Sequence, residues 1–338
     1  MNRAFFTILL TFFALAATAQ TDVKVMRQQS LKRYGIPAGN YSGITHIGGN
    51  RYAVCDDKGP DGFHLWDIDI DLRTGKILDV RNVKFCKSGA PNRDAEDIAY
   101  VPDLQTIFMV SEADSRIYAY TLDGTPLPLM SDPLLPGKNH STGLEGLTYD
   151  PQRHILWAIQ ENDGTHHSHL FSLNLPLSTL NSELSILNSS FSIPHDPPLS
   201  FLPSLKGFSP PITGEPKGVQ RPWRVGGRST HGHSALCAMA DGRLLVLERE
   251  AYVPRKKIGA WCRCKLFSIY PEKPSEKRLL TEWRTRLNLT ARSWANYEGM
   301  CLGPQLEDGR QVIVLLSDSQ NRYGGVLQDR IRTILLPP

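Results

Sequence analysis

Two segments of this chain align without a gap at an offset of 49 residues. The first runs from Asp94 to Tyr100, passes a Pro102-Asp103 turn, and continues as an apolar run, Ile107 to Val110, ending at Glu112. The second runs from Gly143 to Tyr149, passes an Asp150-Pro151 turn, and continues from Leu156 to Glu161. Each is a short strand, a turn and a second strand, the pattern of a β-hairpin. A further strand candidate follows each one, Ile117–Thr121 and Leu170–Leu173. Weaker copies begin at Ser42, Ser234 and Tyr297, and run to Asp56-Asp57, Glu248-Arg249-Glu250 and Ser317-Asp318. Short strands repeating at about 50 residues mark a β-propeller, with one sheet of about four strands per blade. The reading is therefore all-β. Five blades are recognisable, and six are expected, the sixth being divergent or completed by joining the two chain ends. A β-sandwich would share the strands but not the gapless register.

Composition agrees with many turns, since 27 glycines and 24 prolines among 338 residues exceed average usage. With 41% apolar residues the chain can build a sizeable core. A net charge of +4, with 21% charged residues, lacks the basic excess of a nucleic-acid binder. Arg3, the apolar stretch Ala4–Ala16 and the small-x-small triplet Ala17-Thr18-Ala19 predict a signal peptide over 1–19, cleaved after Ala19. A periplasmic or secreted location follows. The apolar run is short for a membrane span. Residues 20–338 are read as one domain, and as a monomer. The six cysteines, Cys55, Cys86, Cys237, Cys262, Cys264 and Cys301, fit either three disulfides or buried thiols.

Residues 172–227 interrupt the repeat. Leu, Ser and Asn dominate its first part, and eight prolines fall between Pro194 and Pro222. Neither part has sustained period-2 or period-3.6 patterning. The stretch reads as a long irregular insertion, with Leu184 to Ile193 able to hold one short strand.

The hairpins bring acids together. In an antiparallel pair the start of one strand lies beside the end of the next. Glu96 and Glu112 are 16 apart around a central turn, and Glu145 and Glu161 repeat this. Glu298 and Asp318 repeat it with a longer turn. Inner strands of a propeller line its channel, so one mouth should carry a ring of carboxylates. Such a ring suits Ca²⁺, an oxygen-seeking cation. It also suits general acid–base work, because crowded carboxylates push their pKa values apart. A third reading has Arg93, Arg116, Arg153, Arg249 and Arg322 pair with the acids and hold blades together. The candidate metal ligands are Glu96, Glu112, Glu145, Glu161, Glu298 and Asp318. The candidate catalytic residues are Glu96, Glu145, Glu298, Arg249 and His231, with Arg249 holding an anionic substrate and His231 transferring a proton.

Two weaker signals remain. Gly232 to Leu236 (GHSAL) resembles a nucleophile elbow around Ser234 but lacks the final glycine. His166, His167 and His169 have metal-compatible spacing in a polar loop.

The segments Asp94–Ala99, Gly143–Leu147, Leu244–Arg249, Asn296–Met300 and Leu315–Asp318 occur in an order that resembles the "esterase-like activity of phytase" family of exported bacterial propellers. The resemblance spans about residues 40 to 335, apart from the insertion. The family pattern places Gly after the acid, and here Asp97 takes that place. The resemblance implies hydrolysis of phosphate or carboxylic esters. Its wider likeness to propeller phytases implies Ca²⁺ at an acidic mouth. Three functions are compatible: a metal-assisted phosphoesterase acting on a small anionic ester, a non-catalytic periplasmic binding propeller, and a lactonase-like or carboxylesterase propeller.

Overall fold

Short apolar runs between tight turns build 21 strands among the described residues of the computed structural model. It describes residues 23–135, 143–161, 168–175, 191–193, 228–254, 259–288, 292–322 and 327–338. Two short strands, β1 (Lys24–Val25) and β2 (Gln29–Ser30), open the described chain. The first sheet is β3 (Tyr41–Gly48), β4 (Arg51–Asp56), β5 (Gly62–Ile70) and β6 (Ile77–Lys87). The second is β7 (Ala95–Val101), β8 (Thr106–Ser111), β9 (Ile117–Thr121) and β10 (Pro126–Ser131). The third is β11 (Leu144–Asp150), β12 (Ile155–Gln160) and β13 (Leu170–Asn174). The short β14 (Phe191–Ile193) adds to the second sheet, parallel to β10. The fourth sheet is β15 (Arg228–Ala238), β16 (Leu244–Val253), β17 (Ala260–Tyr270) and β18 (Lys273–Leu287). The fifth is β19 (Asn296–Gln305), β20 (Gln311–Asp318) and β21 (Arg330–Leu336), with β1 and β2 paired to β21.

The first strands of the sheets stand side by side in a closed circle, β3 against β7, β7 against β11, β11 against β15, β15 against β19, and β19 against β3. Five apolar clusters fill the wedges between neighbouring sheets. Phe63 and Met109 join the first to the second, Phe108 and Phe171 the second to the third, and Trp157 and Val246 the third to the fourth. Leu245 and Ile313 join the fourth to the fifth, and Trp66 and Val314 close the circle. Each fully buried side chain of this size contributes about 1.5–3 kcal/mol relative to exposure.

The propeller therefore has five blades where six were expected. The chain ends do meet, but β1 and β2 become the outermost strands of the fifth blade and leave no separate sheet. The long insertion is present, starting after β13 ends at Asn174 and not at Ser172, and Phe191–Ile193 docks as β14, the short strand expected between Leu184 and Ile193. The rest of the insertion, the predicted signal peptide, His166 and His167 lie outside the described residues.

All six cysteines are buried free thiols, the second of the two readings. Among the described residues no helix is long and apolar enough to cross a membrane.

Candidate active site

Every inner strand is broken by a β-bulge, near its first residues in four blades and midway along β15. The pairing of β7 with β8 skips from Ala95–Ser111 to Asp97–Val110, leaving Glu96 as the extra residue. By the same skip Glu145 is extra in β11, Ser234 in β15 and Glu298 in β19. In β3 the skip spans Ser42 and Gly43. A bulge re-aims a side chain that strict alternation would have sent elsewhere. The matching residues on the facing side are Asp57, Glu112 and Glu161, each just past its strand, Asp318 at the end of β20 and Arg249 within β16. Two rings of five positions result. One holds three glutamates and two serines, and the other holds four carboxylates and one arginine.

Arg249 takes the position that is acidic in the other four blades. Its guanidinium donates to Glu298 and, at 3.0 Å, to Glu161, with Glu145 at 3.8 Å. Asn296 also donates to Glu298, at 2.6 Å. Burial opposes the charge of Arg249, but Glu298, Glu161 and Glu145 together raise its pKa well above the ordinary value. The other arginines weighed as partners go elsewhere. Arg93 reaches Tyr120, Arg116 the Ser131 carbonyl, Arg153 Asp150 and Glu272, and Arg322 Asp329.

Glu96 sits across the mouth from that ion-pair knot. It is 8% exposed and has no hydrogen-bond partner among the described residues. Burial, then the charges of Glu145, Glu298, Asp57 and Glu112, raise its pKa well above the carboxylate range. Glu145 is raised the same way, burial and Glu161 outweighing Arg249. Burial also raises Glu298 against the pull of Arg249, and raises Glu112. Asp318 is pushed up to about 9 by burial and by Glu298, although the Gln320 amide donates to it at 2.6 Å. The mouth thus holds several carboxyl groups that burial and mutual repulsion shift toward their protonated forms.

Two close approaches shape the ring. A Cβ on Gly143 would fall 2.2 Å from Cγ of Glu112, and one on Gly232 would fall 2.3 Å from Cγ of Glu161. The bare glycine lets the acid of one blade lie against the inner strand of the next, where the Gly143 amide donates to Glu112 at 3.3 Å. Asp97 sits behind the ring, wholly buried. Its carboxylate accepts the amides of Ile98 at 2.8 Å and Leu147 at 2.7 Å, and fills the space over Gly43.

A cation site fits at one edge. Carboxylate oxygens of Asp57, Asp94 and Glu96 lie within 4.8 Å of one another. Oδ1 of Asp57 is buried without a hydrogen-bond partner. The exposed Lys58 bonds Asp57 at 3.0 Å and also Asp94. A set of hard, anionic oxygens suits Ca²⁺. Glu96 was the member of this set read as a ligand from sequence; Asp57 and Asp94 were missed. The Asp56-Asp57 pair ended a weak repeat copy without showing which residue held the ring position, and Asp94 has a left-handed φ of 55° that reads as turn chemistry.

His231 is placed opposite Glu250, one pair beyond Gly232 and Arg249, and the ring position of its blade belongs to Ser234. Ser234 is fully buried within β15, its hydroxyl 3.5 Å from the Leu247 carbonyl, so there is no strand-to-helix elbow. His233 is fully buried between the third and fourth blades. Its Nδ1 lies 2.6 Å from the Ser168 hydroxyl and its Nε2 3.2 Å from Glu248, which also pairs with Lys277. Burial and Lys277 lower the His233 pKa to about 3, and burial lowers Lys277 to about 7.

No curated protein matches the chain. Among solved structures, a luciferin-regenerating enzyme is 10% identical, with 93% of this chain and 98% of that one covered and a TM-score of 0.41. A gluconolactonase of Xanthomonas campestris is 10% identical, with 94% and 96% covered and a TM-score of 0.39. An endo-arabinase of Bacteroides thetaiotaomicron is 9% identical, with 90% and 95% covered and a TM-score of 0.41. The pattern of one protein family matches residues 36–320, which contain both rings and all five inner strands. The chain belongs to that family, the phytase-like proteins described as "esterase-like activity of phytase".

Proposed function

We propose that this protein is a cation-assisted hydrolase of esters acting at the carboxylate-lined mouth. The observation that carries this reading is the cluster of Asp57, Asp94 and the buried Glu96, in which Oδ1 of Asp57 is buried without a hydrogen-bond partner among the described residues. Asp57, Asp94 and Glu96 would hold Ca²⁺, which when bound polarises an ester oxygen and lowers the pKa of water. Arg249, held by three carboxylates, orients the acidic side of the ring. Glu145, with its raised pKa, is a proton donor for the leaving oxygen. Glu298, fixed by Arg249 and Asn296, accepts a proton from water. The N-terminal pattern supports export, which would put the site in a calcium-bearing compartment.

The charge of the mouth sets a substrate rule. Carboxylates fill seven of the ten ring positions, and Arg249 fills one. A phosphate dianion is repelled from such a site until cations neutralise it. Calcium dependence should therefore be strong for an aryl phosphate and weak for an aryl acetate or a lactone. The test is hydrolysis of these three by chelated protein, with and without added Ca²⁺, and by Glu145→Gln. Loss of turnover in the variant supports the reading. Absence of turnover on all three substrates, with and without Ca²⁺, overturns it in favour of a binding propeller. The closure of Arg249 by three carboxylates is the observation that favours that second reading.

A further inference from the structure

An open cavity of about 520 Å³ lies at the seam that closes the propeller. Its wall comes from the segment between β1 and β2, from the start of β6 and from the start of β21. Arg27, Arg33, Lys76 and Arg330 line it, and none of its lining residues is acidic. This is the reverse of the channel mouth. The volume lies within the range of small-molecule sites, about 300–1,000 Å³.

Of the neutral polar side chains in the wall, Gln28, Gln29 and Thr333 already have partners, and Ser30 adds a hydroxyl. The Thr333 hydroxyl donates to the Gly75 carbonyl at 2.6 Å, and Gln29 donates to the Ile77 carbonyl at 2.8 Å. The Gln29 side-chain oxygen accepts from both Arg33, at 2.7 Å, and Tyr34, at 2.6 Å. What is left over is donors. Nε of Arg330 is buried and has no hydrogen-bond partner, although its other end is anchored on the Arg292 carbonyl. A buried N–H without an acceptor is rare in a folded protein and calls for one. Guanidinium and ammonium groups offer donors alone, so the complementary ligand is all acceptor and negatively charged.

We propose that this cavity binds a small phosphorylated molecule, whose phosphate oxygens accept from Arg33, Lys76 and Arg27, with the positive charge of Arg330 in the wall behind them. The site is independent of the mouth and of the hydrolase reading. Because it spans the first and fifth blades, a bound ligand ties the seam shut and raises the melting temperature.

Calorimetry of the full chain at low salt tests this, with pyrophosphate and inorganic phosphate as probes. One saturable site is expected, tighter for pyrophosphate. The double variant Arg33→Ala/Lys76→Ala changes two exposed side chains and should weaken binding about tenfold or more, whereas Glu96→Gln should leave it unchanged. Arg330→Gln should also weaken it. Absence of saturable binding, or equal affinity in the double variant, overturns the proposal. Binding to phosphatidylglycerol vesicles without binding of pyrophosphate overturns it too, and assigns the basic surface to a lipid headgroup.

Discussion

Asp97 shows how one side chain can replace a family feature. The residue after the acid is Gly146 and Gly299 in two other blades, where a Cβ would press on the backbone of the next inner strand. Asp97 instead reaches across and accepts amides from its own strand and from β11. Burial raises its pKa well above the carboxylate range, and the amides of Leu147, Ile98 and Ile44 oppose that. Removing the side chain strands those buried amides, whereas an amide side chain keeps one of the two acceptor oxygens and turns an NH2 toward the other amide. Asp97→Ala should cost about 2–3 kcal/mol in urea unfolding. Asp97→Asn should cost less than that, since one oxygen still accepts. Equal losses in the two variants would show that shape, and not hydrogen bonding, matters here. The Asp97 departure was plain in the sequence, but its burial among three inner strands was not.

The elements that matter are the five bulged inner strands. Their existence was legible, because hairpins at a constant offset leave a pattern of apolar runs and turns. The bulges were not legible. A bulge shifts the parity of the strand by one, and a spacing of 16 between Glu96 and Glu112 is the same with or without it. For the same reason Glu248-Arg249-Glu250 offered three candidates for one position, and only the register selects Arg249. His231 was read one step too near the ring on that account. The fit between elements can be tested at Gly143. Gly143→Ala forces Glu112 off the inner strand and should destabilise by about 1–3 kcal/mol. Adding Glu112→Ala should recover most of that loss, a coupling that a double-mutant cycle reads directly. Additive losses would mean that the glycine serves its own backbone alone.

At the scale of the whole molecule, the mouth makes stability depend on pH. Asp318 titrates at about 9 in the fold and at about 4 in an unfolded chain. Glu96, Glu145 and Glu298 are raised as well, all chiefly by burial. Between those limits the folded protein holds protons that the unfolded chain has lost. Stability therefore falls as pH rises from about 4 to about 9. The melting temperature of chelated protein should fall across that range, and less steeply for Asp318→Asn. Added Ca²⁺ should flatten the slope, since it stabilises the deprotonated ring. A melting temperature that rises with pH would mean that the acids are paired more strongly than their burial implies. The count of blades also belongs to this scale. Five repeats were countable, but nothing local says whether the ends of a chain make a blade of their own or finish an existing one.

Joining first strand to last has a kinetic consequence. Lys24 pairs with Leu335 in antiparallel register, so the described chain begins almost where it ends. Synthesis delivers β1 long before β21, and the fifth sheet stays open-edged until β21 is made. The pairing joins residues far apart in the sequence, the kind of contact that slows folding. A permuted chain tests this. Linking Pro338 to Val23 through a short loop makes the late pairing a local hairpin, and new ends can open in the exposed turn at Asp308-Gly309. That protein should keep the same fold and refold faster than the parent.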